Sequence, residues 1–298
     1  MNKELVENFL AWLTIGHTKE TANSYKWGLK IFYEWVDGNE KEILRLELQD
    51  FVDYALYLAE VRKVALSTQF CYLITLRSFW GWLVRQNRVV NYDIPFPRKD
   101  EIKHYASATM DEMEKIINYF GEFWPDEIRN KTIVSFLCDT GVRIGEFLSI
   151  DAGDLNLENM KCVVKTSKRV NHQREIYWTE RTNNLLKKWL TIRNEYLKTK
   201  KNCEALWIAM DTRQGGGRLE KSTIQKMFRR VRNEVGIEKK ITPHSFRHGF
   251  GKRAVENNVH PRYIQKFLGH AKLETTMFYM GVEDVELEKV YQNKMVMA

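Results

Sequence analysis

The 298-residue sequence predicts a mainly α-helical protein: an N-terminal helical bundle, then a mixed α+β domain with a small antiparallel sheet. Three observations predict it. Apolar side chains recur at helical spacing on both sides of the chain's middle. Strand-like segments are confined to a single pair, Met160–Lys165 and Arg174–Trp178, which reads as a hairpin. Between the two parts, Pro95 and Pro97 oppose helix, and a charged run follows directly. These features place a first domain at 1–97, a linker at 98–105 and a second domain at 106–298, both domains long enough to bury a core.

The elements follow in order. Thr18 predicts a helix cap, with Tyr25, Leu29, Phe32 and Trp35 or Val36 on one helix face. A second helix is expected near Leu48–Ala59. A third opens at Ser67-Thr68 and carries Tyr72, Leu73, Leu76, Phe79, Trp82 and Leu83. Beyond the hairpin, Ile224, Met227, Phe228, Val231 and Val235 make an apolar stripe that Ser222 caps and Gly236 stops. Thr242-Pro243 is a strong helix start. Pro261 opens a short helix that Gly269 ends, and Glu274-Thr275-Thr276 opens a further segment with Tyr279 in its first turns. Val282, Val285, Leu287, Val290, Tyr291 and Met295 predict an amphipathic tail.

Charge and composition narrow the partners. The net charge is +8 and the sequence pI about 9.1. Residues 1–97 hold 11 Lys/Arg against 12 Asp/Glu, whereas 98–298 hold 36 against 27, so the positive excess lies in the second part. Such an excess suits a polyanion. No apolar run reaches the ~18 residues of a membrane span, and the N-terminus lacks a signal-peptide stretch. A cytoplasmic protein that meets no membrane is therefore expected. Cys71, Cys138, Cys162 and Cys203 lie far apart with no C-x-x-C pair, which predicts buried thiols rather than a zinc site or disulfides. Gly215-Gly216-Gly217 is not followed by Lys-Ser/Thr, so it is no phosphate loop.

Three constellations carry chemistry. In Thr242-Pro-His-Ser-Phe-Arg-His248, His244 and Arg247 share a face in a helix's first turn, where an anion is favoured. In Thr140-Gly-Val-Arg-Ile-Gly-Glu146, Arg143 sits among apolar neighbours and needs a partner, either Glu146 or a phosphate. His270 follows Leu268-Gly269 from a turn; taken alone, Tyr279 reads first as a core tyrosine and His270 as an ordinary turn histidine.

Taken in order, Thr-Gly-x-Arg-x-x-Glu, His-x-x-Arg-His, Leu-Gly-His and Thr-Thr-x-x-Tyr resemble the tyrosine recombinase (phage integrase) family over residues 140–279. His270 and Tyr279 stand nine apart, as in that pattern, and Ser67-Thr68 with the following apolar residues resembles its core-binding domain. The resemblance implies transesterification at a DNA phosphodiester. Arg143 and Arg247 would fork onto the non-bridging oxygens, which guanidiniums do without losing their protons. His270 would donate to the same oxygens, and His244 would give acid/base help. Tyr279 would form a 3′-phosphotyrosine, and Glu146 would orient the cluster. The family's hairpin lysine lacks its usual glycine neighbours here; Lys165 is the choice for general acid and Lys168 the alternative, while His172 is read as a loop residue.

No metal or other cofactor is implied. A double-stranded DNA site and a homo-oligomer, a tetramer on two sites, are implied as partners. Candidate DNA contacts are Thr18, Lys19, Thr21, Ser24, Lys26, Ser67, Thr68, Gln69 and Arg77 in the first domain, and Lys226, Arg229 and Arg230 in the second. The two domains would clamp a duplex, and the tail would dock on its own domain or on a neighbouring protomer. Starting almost at once with a core-binding domain, the chain resembles the simple, Xer-like two-domain type. A relaxing enzyme of the type IB topoisomerase class and a non-catalytic DNA-binding protein are the alternatives.

Overall fold

The computed structural model describes residues 2–97, 107–165, 173–200, 203–210 and 215–270. The chain forms two compact units, Met1–Lys103 and His104–Ala298.

The first unit is all helical. Helix α1 (Asn2–Gly16) and α2 (Lys19–Gly38) lead through a short 3-10 turn to α3 (Leu48–Leu56), which runs on as a π turn over Tyr57–Val61; α4 (Leu66–Arg85) completes the bundle. Helix α1 was not expected. Its buried residues Leu5, Phe9 and Leu13 come every fourth position, but Trp12 and Ile15 blur the stripe by facing solvent. Helix α2 starts where its cap predicts: Thr18 Oγ1 accepts from the Thr21 amide at 3.3 Å. Helix α4 begins at Leu66, slightly before Ser67-Thr68, with no side-chain cap. It is the central helix, burying Leu73, Thr75, Leu76, Phe79, Trp80, Trp82 and Leu83. Phe79 meets Phe9 edge-on at 5.2 Å and Trp80 meets Phe51 at 4.7 Å. Its outer face carries Cys71, which is exposed, against the expectation that all four thiols are buried; Cys138 and Cys162 are buried and Cys203 partly so.

The second unit wraps helices around α6. Helix α5 (Met110–Tyr119) precedes it and carries a full capping box between Thr109 and Glu112. Helix α6 (Pro125–Thr140) is buried on nearly every side, Ile128 through Cys138 with only Lys131 less than buried. A helix buried all round shows no stripe, which is why the sequence hid it. It ends at Gly141, whose φ of 55° suits glycine and whose absent side chain leaves room for Phe250. Helix α7 (Ile144–Ser149) follows at once.

The sheet is antiparallel in the order β1 (Leu155–Asn156), β2 (Lys161–Lys165) and β3 (Gln173–Tyr177). The expected hairpin is β2–β3, with Val164 opposite Arg174 and Lys165 opposite Gln173. The added strand β1 has two residues, too few for any alternation to register. Then come α8 (Glu180–Leu197), α9 (Lys221–Glu234), α10 (Pro243–Glu256) and α11 (Pro261–Leu268). Helix α9 starts just before Ser222, with Glu220 at its cap. The core gathers Phe136, Phe147, Trp178, Trp189, Trp207 and Phe246, with Phe147 and Trp207 stacked at 4.7 Å. No described helix is long and apolar enough to cross a membrane.

Candidate active site

Three short local signals build the site. Helix α6 must stop at Gly141, so Arg143 falls at the cap of α7. Thr242 Oγ1 accepts from the Ser245 amide and Pro243 takes the first position of α10, so His244 and Arg247 fall in its first turn. Gly269, left-handed at φ 62°, ends α11 and turns the chain so that His270 is buried, 8% exposed.

These endings meet at the last turn of α11. Its final carbonyls have no partner within the helix, and arginines cap three of them in succession. Arg174 Nε donates to Phe267 O at 2.9 Å, Arg247 Nη2 donates to Leu268 O, and Arg143 Nη2 donates to Gly269 O at 2.8 Å. Arg247 also donates to Gly141 O at 2.8 Å. It is 3% exposed, whereas the side chain of Arg143 retains 38% and reaches solvent.

Glu146 binds the cluster from beneath. Its side chain is 2% exposed; Oε1 accepts from Arg143 Nη1 at 3.1 Å, and Oε2 accepts from Arg174 Nη2 at 2.8 Å and from the Arg143 amide at 3.1 Å. Burial works against its charge, but the hydrogen bond and charge of Arg174, with the charge of Arg143, more than offset it, so the carboxyl titrates below its ordinary range. The expected Arg143–Glu146 pair is therefore present without consuming Arg143, whose guanidinium still reaches solvent.

The imidazoles are held neutral. Burial first, then Arg247, Arg143 and Arg174, push His270 down to about 3. His248 is pushed down to about 4 by burial, His244 and Arg247. His244 keeps an exposed edge, and partial enclosure with the charges of Arg247 and Arg143 lowers it too. His244 and His248 meet edge-on at 4.3 Å.

Not every expected residue joins this cluster. Lys165 ends β2 and is exposed. Strand alternation puts it on the sheet face opposite to Arg174, beside Gln173 and Val163. Tyr279, Lys168, His172 and the tail from 271 lie outside the described residues. On α9, Lys226, Arg229 and Arg230 are exposed, opposite the buried Ile224, Met227, Phe228 and Val231. In the first unit Thr18, Ser24, Lys26, Ser67 and Arg77 are exposed, with Thr21, Thr68 and Gln69 partly so. The backbone at Lys19 opens α2. The Thr18 hydroxyl already serves its cap, Gln69 donates to Val64 O, and Arg77 lies over the Phe96 ring. Arg174 is the functional-looking residue that sequence reasoning missed; a lone arginine at the start of a strand gives no signal of its role.

A helical fold with a small sheet, and two arginines with two histidines gathered at one helix end, define an anion site suited to a phosphodiester. The family model described as phage integrase family matches residues 107–286, and the chain belongs to this family of tyrosine site-specific recombinases. It is 26% identical to tyrosine recombinase XerC of Leptospira interrogans, covering 97% of this chain and 92% of that one. It is 28% identical to tyrosine recombinase XerD of Oceanobacillus iheyensis, covering 97% of each. Among solved structures, XerH site-specific recombinase bound to a palindromic difH substrate aligns over 92% of this chain and 80% of that one, with a TM-score of 0.75 and 22% identity.

Proposed function

We propose that this chain recombines double-stranded DNA at a specific site through Tyr279, with Arg143, Arg247, His270 and His244 around the reacting phosphate. The Tyr279 oxygen bonds to phosphorus, forming a 3′-phosphotyrosine as the bond to the 5′-oxygen breaks. That oxygen takes a proton from Lys165, with Lys168 the alternative donor. A 5′-hydroxyl of the other duplex then attacks phosphorus, and the tyrosine leaves. Two such exchanges pass through a Holliday junction. The ester energy is kept in the phosphotyrosine throughout, so no nucleotide is consumed.

The observation that carries this reading is the convergence of Arg143 and Arg247, from two different helices, on successive carbonyls immediately before His270. A guanidinium is a fixed positive charge that can fork onto two phosphate oxygens. His270, depressed to about 3, is neutral at pH 7 and serves as a hydrogen-bond donor rather than a cation. Because a free tyrosine ionises only near pH 10, Tyr279 needs this cationic surrounding and a base such as His244 to attack.

Thr18, Lys19, Thr21, Ser24, Lys26, Ser67, Thr68, Gln69 and Arg77 in the first unit, and Lys226, Arg229 and Arg230 on α9, are assigned to the duplex, mostly to its phosphates. A cytoplasmic tetramer on two DNA sites, with the tail docked on its own domain or on a neighbouring protomer, completes the proposal.

The test is covalent trapping. Wild type and Tyr279→Phe are mixed with a randomised pool of nicked duplexes in EDTA, and denaturing gels read the adduct. An adduct with wild type alone supports the assignment, and sequencing it gives the site. An adduct with both proteins would put the nucleophile elsewhere; tight binding with no adduct would favour a non-catalytic DNA-binding protein.

A further inference from the structure

Arg174 occupies a place that packing alone does not explain. It stands on the inner face of β3, opposite Val164 and in line with buried Ile176. Its side chain is 10% exposed. One nitrogen donates to Glu146 and another to Phe267 O, while Nη1 is buried and finds no acceptor among the described residues. An apolar residue on this face would leave no donor orphaned. Gly269 fits against its guanidinium so closely that a Cβ there would come within 3.0 Å of Arg174 Cδ.

We infer that Arg174 is a positioning residue of the recombinase site, holding Glu146 and the last turn of α11 so that Arg143 faces the scissile phosphate. The inference rests on the role proposed above for Arg143. No described hydrogen bond joins Arg174 to Arg143 directly; its route to the phosphate runs through Glu146, whose other oxygen holds Arg143 Nη1. Its second hydrogen bond fixes the carbonyl two residues before Gly269, whose own carbonyl accepts from Arg143. Arg143 is thus held from two sides, and Arg174 holds both holders. Burial opposes charge on Glu146 and Arg174 supplies the largest offset, so without Arg174 the carboxylate loses its strongest reason to stay ionised.

The readout is single-turnover adduct formation on the duplex recovered by trapping, with either a phosphodiester or a neutral methylphosphonate at the scissile position. A methylphosphonate lacks the charge that Arg143 serves. Arg174→Met is expected to slow adduct formation on the phosphodiester by about 10²-fold, as misplacing a catalytic group does, and far less on the methylphosphonate. In an Arg143→Ala background, Arg174→Met is expected to add nothing, since residues acting through one another are not additive. Arg174→Lys keeps a cation beside Glu146 and should fall between wild type and Arg174→Met; if the Met variant does not fold, the Lys variant carries the same comparison.

Equal slowing on both substrates would overturn the inference, showing a general structural role. An additive loss with Arg143→Ala would overturn it in favour of direct contact with the phosphate. Wild-type rates on the phosphodiester would also overturn it. If Arg143→Ala itself formed adduct at the wild-type rate, the role given to Arg143 would fall first, independently of Arg174.

Discussion

At the scale of single residues, the site depends on charges that the fold keeps in unusual states. Glu146 is almost wholly buried yet ionised because Arg174 and Arg143 outweigh its burial, and His270 is kept neutral first by burial and then by the charges of Arg247, Arg143 and Arg174. The histidine makes a testable statement about stability. Folded His270 takes up a proton only near pH 3, whereas the unfolded chain takes one up near its ordinary 6.5. Below about pH 6.5 the unfolded state therefore binds more protons, and stability falls as the pH is lowered through this window. His270→Gln should lessen the dependence of urea-unfolding free energy on pH between about 7 and 5.5, the remaining slope coming from His248 and His244, which are depressed too. An unchanged slope would mean that His270 is not depressed.

At the scale of elements, Arg143, His244, Arg247 and His270, the groups proposed to surround the phosphate, lie where helices begin and end rather than along them. Helix α10 brings His244 and Arg247, and its position is set by close packing at Gly249. A Cβ there would overlap the Ala108 carbonyl oxygen and Met113 Cε, and Ala108 is bound to α10 through its amide and Ser245 O at 3.0 Å. A backbone oxygen yields less easily than a side chain, so Gly249→Ala must move the helix. We expect a loss of about 1–3 kcal/mol, the usual cost of overpacking, together with slower adduct formation. Thr242→Ala at the cap of the same helix removes the side-chain acceptor of the Ser245 amide, which keeps the Thr242 carbonyl at 2.9 Å, and should cost at most about 1 kcal/mol, with a smaller effect on rate. Thermal unfolding and adduct assays on both variants decide this; a larger rate defect in Thr242→Ala than in Gly249→Ala would refute the packing argument.

For the whole molecule, each unit has its own core, one around Phe9, Phe51, Phe79 and Trp80 and the other around Phe136, Phe147, Trp189 and Trp207. Residues 104–298, expressed alone, should therefore unfold cooperatively. Most of the positive excess lies in this part, so it should retain salt-sensitive binding to any duplex. Losing the first unit's contacts should cost it affinity for the trapped site relative to random DNA. Titrations at several salt concentrations test this, and a site preference equal to that of the full chain would contradict a DNA role for the first unit.

What the sequence by itself determined was local. The cap at Thr18, the Thr242-Pro243 start, the Gly269 stop and the β2–β3 hairpin depend on residues near one another in the chain, and each is where its residues predict. The four-motif pattern, read by spacing, was enough for the family. Tertiary structure decided the rest. Helix α6 is surrounded on all sides, so no stripe announced it. Strand β1 exists only because β2 is there to pair with it. Arg174 meets its partners 28 and 93 residues away in the chain. Only folding brings β3, α7 and the end of α11 together, so the residue that joins them has no meaning until those carbonyls and Glu146 are within hydrogen-bond reach.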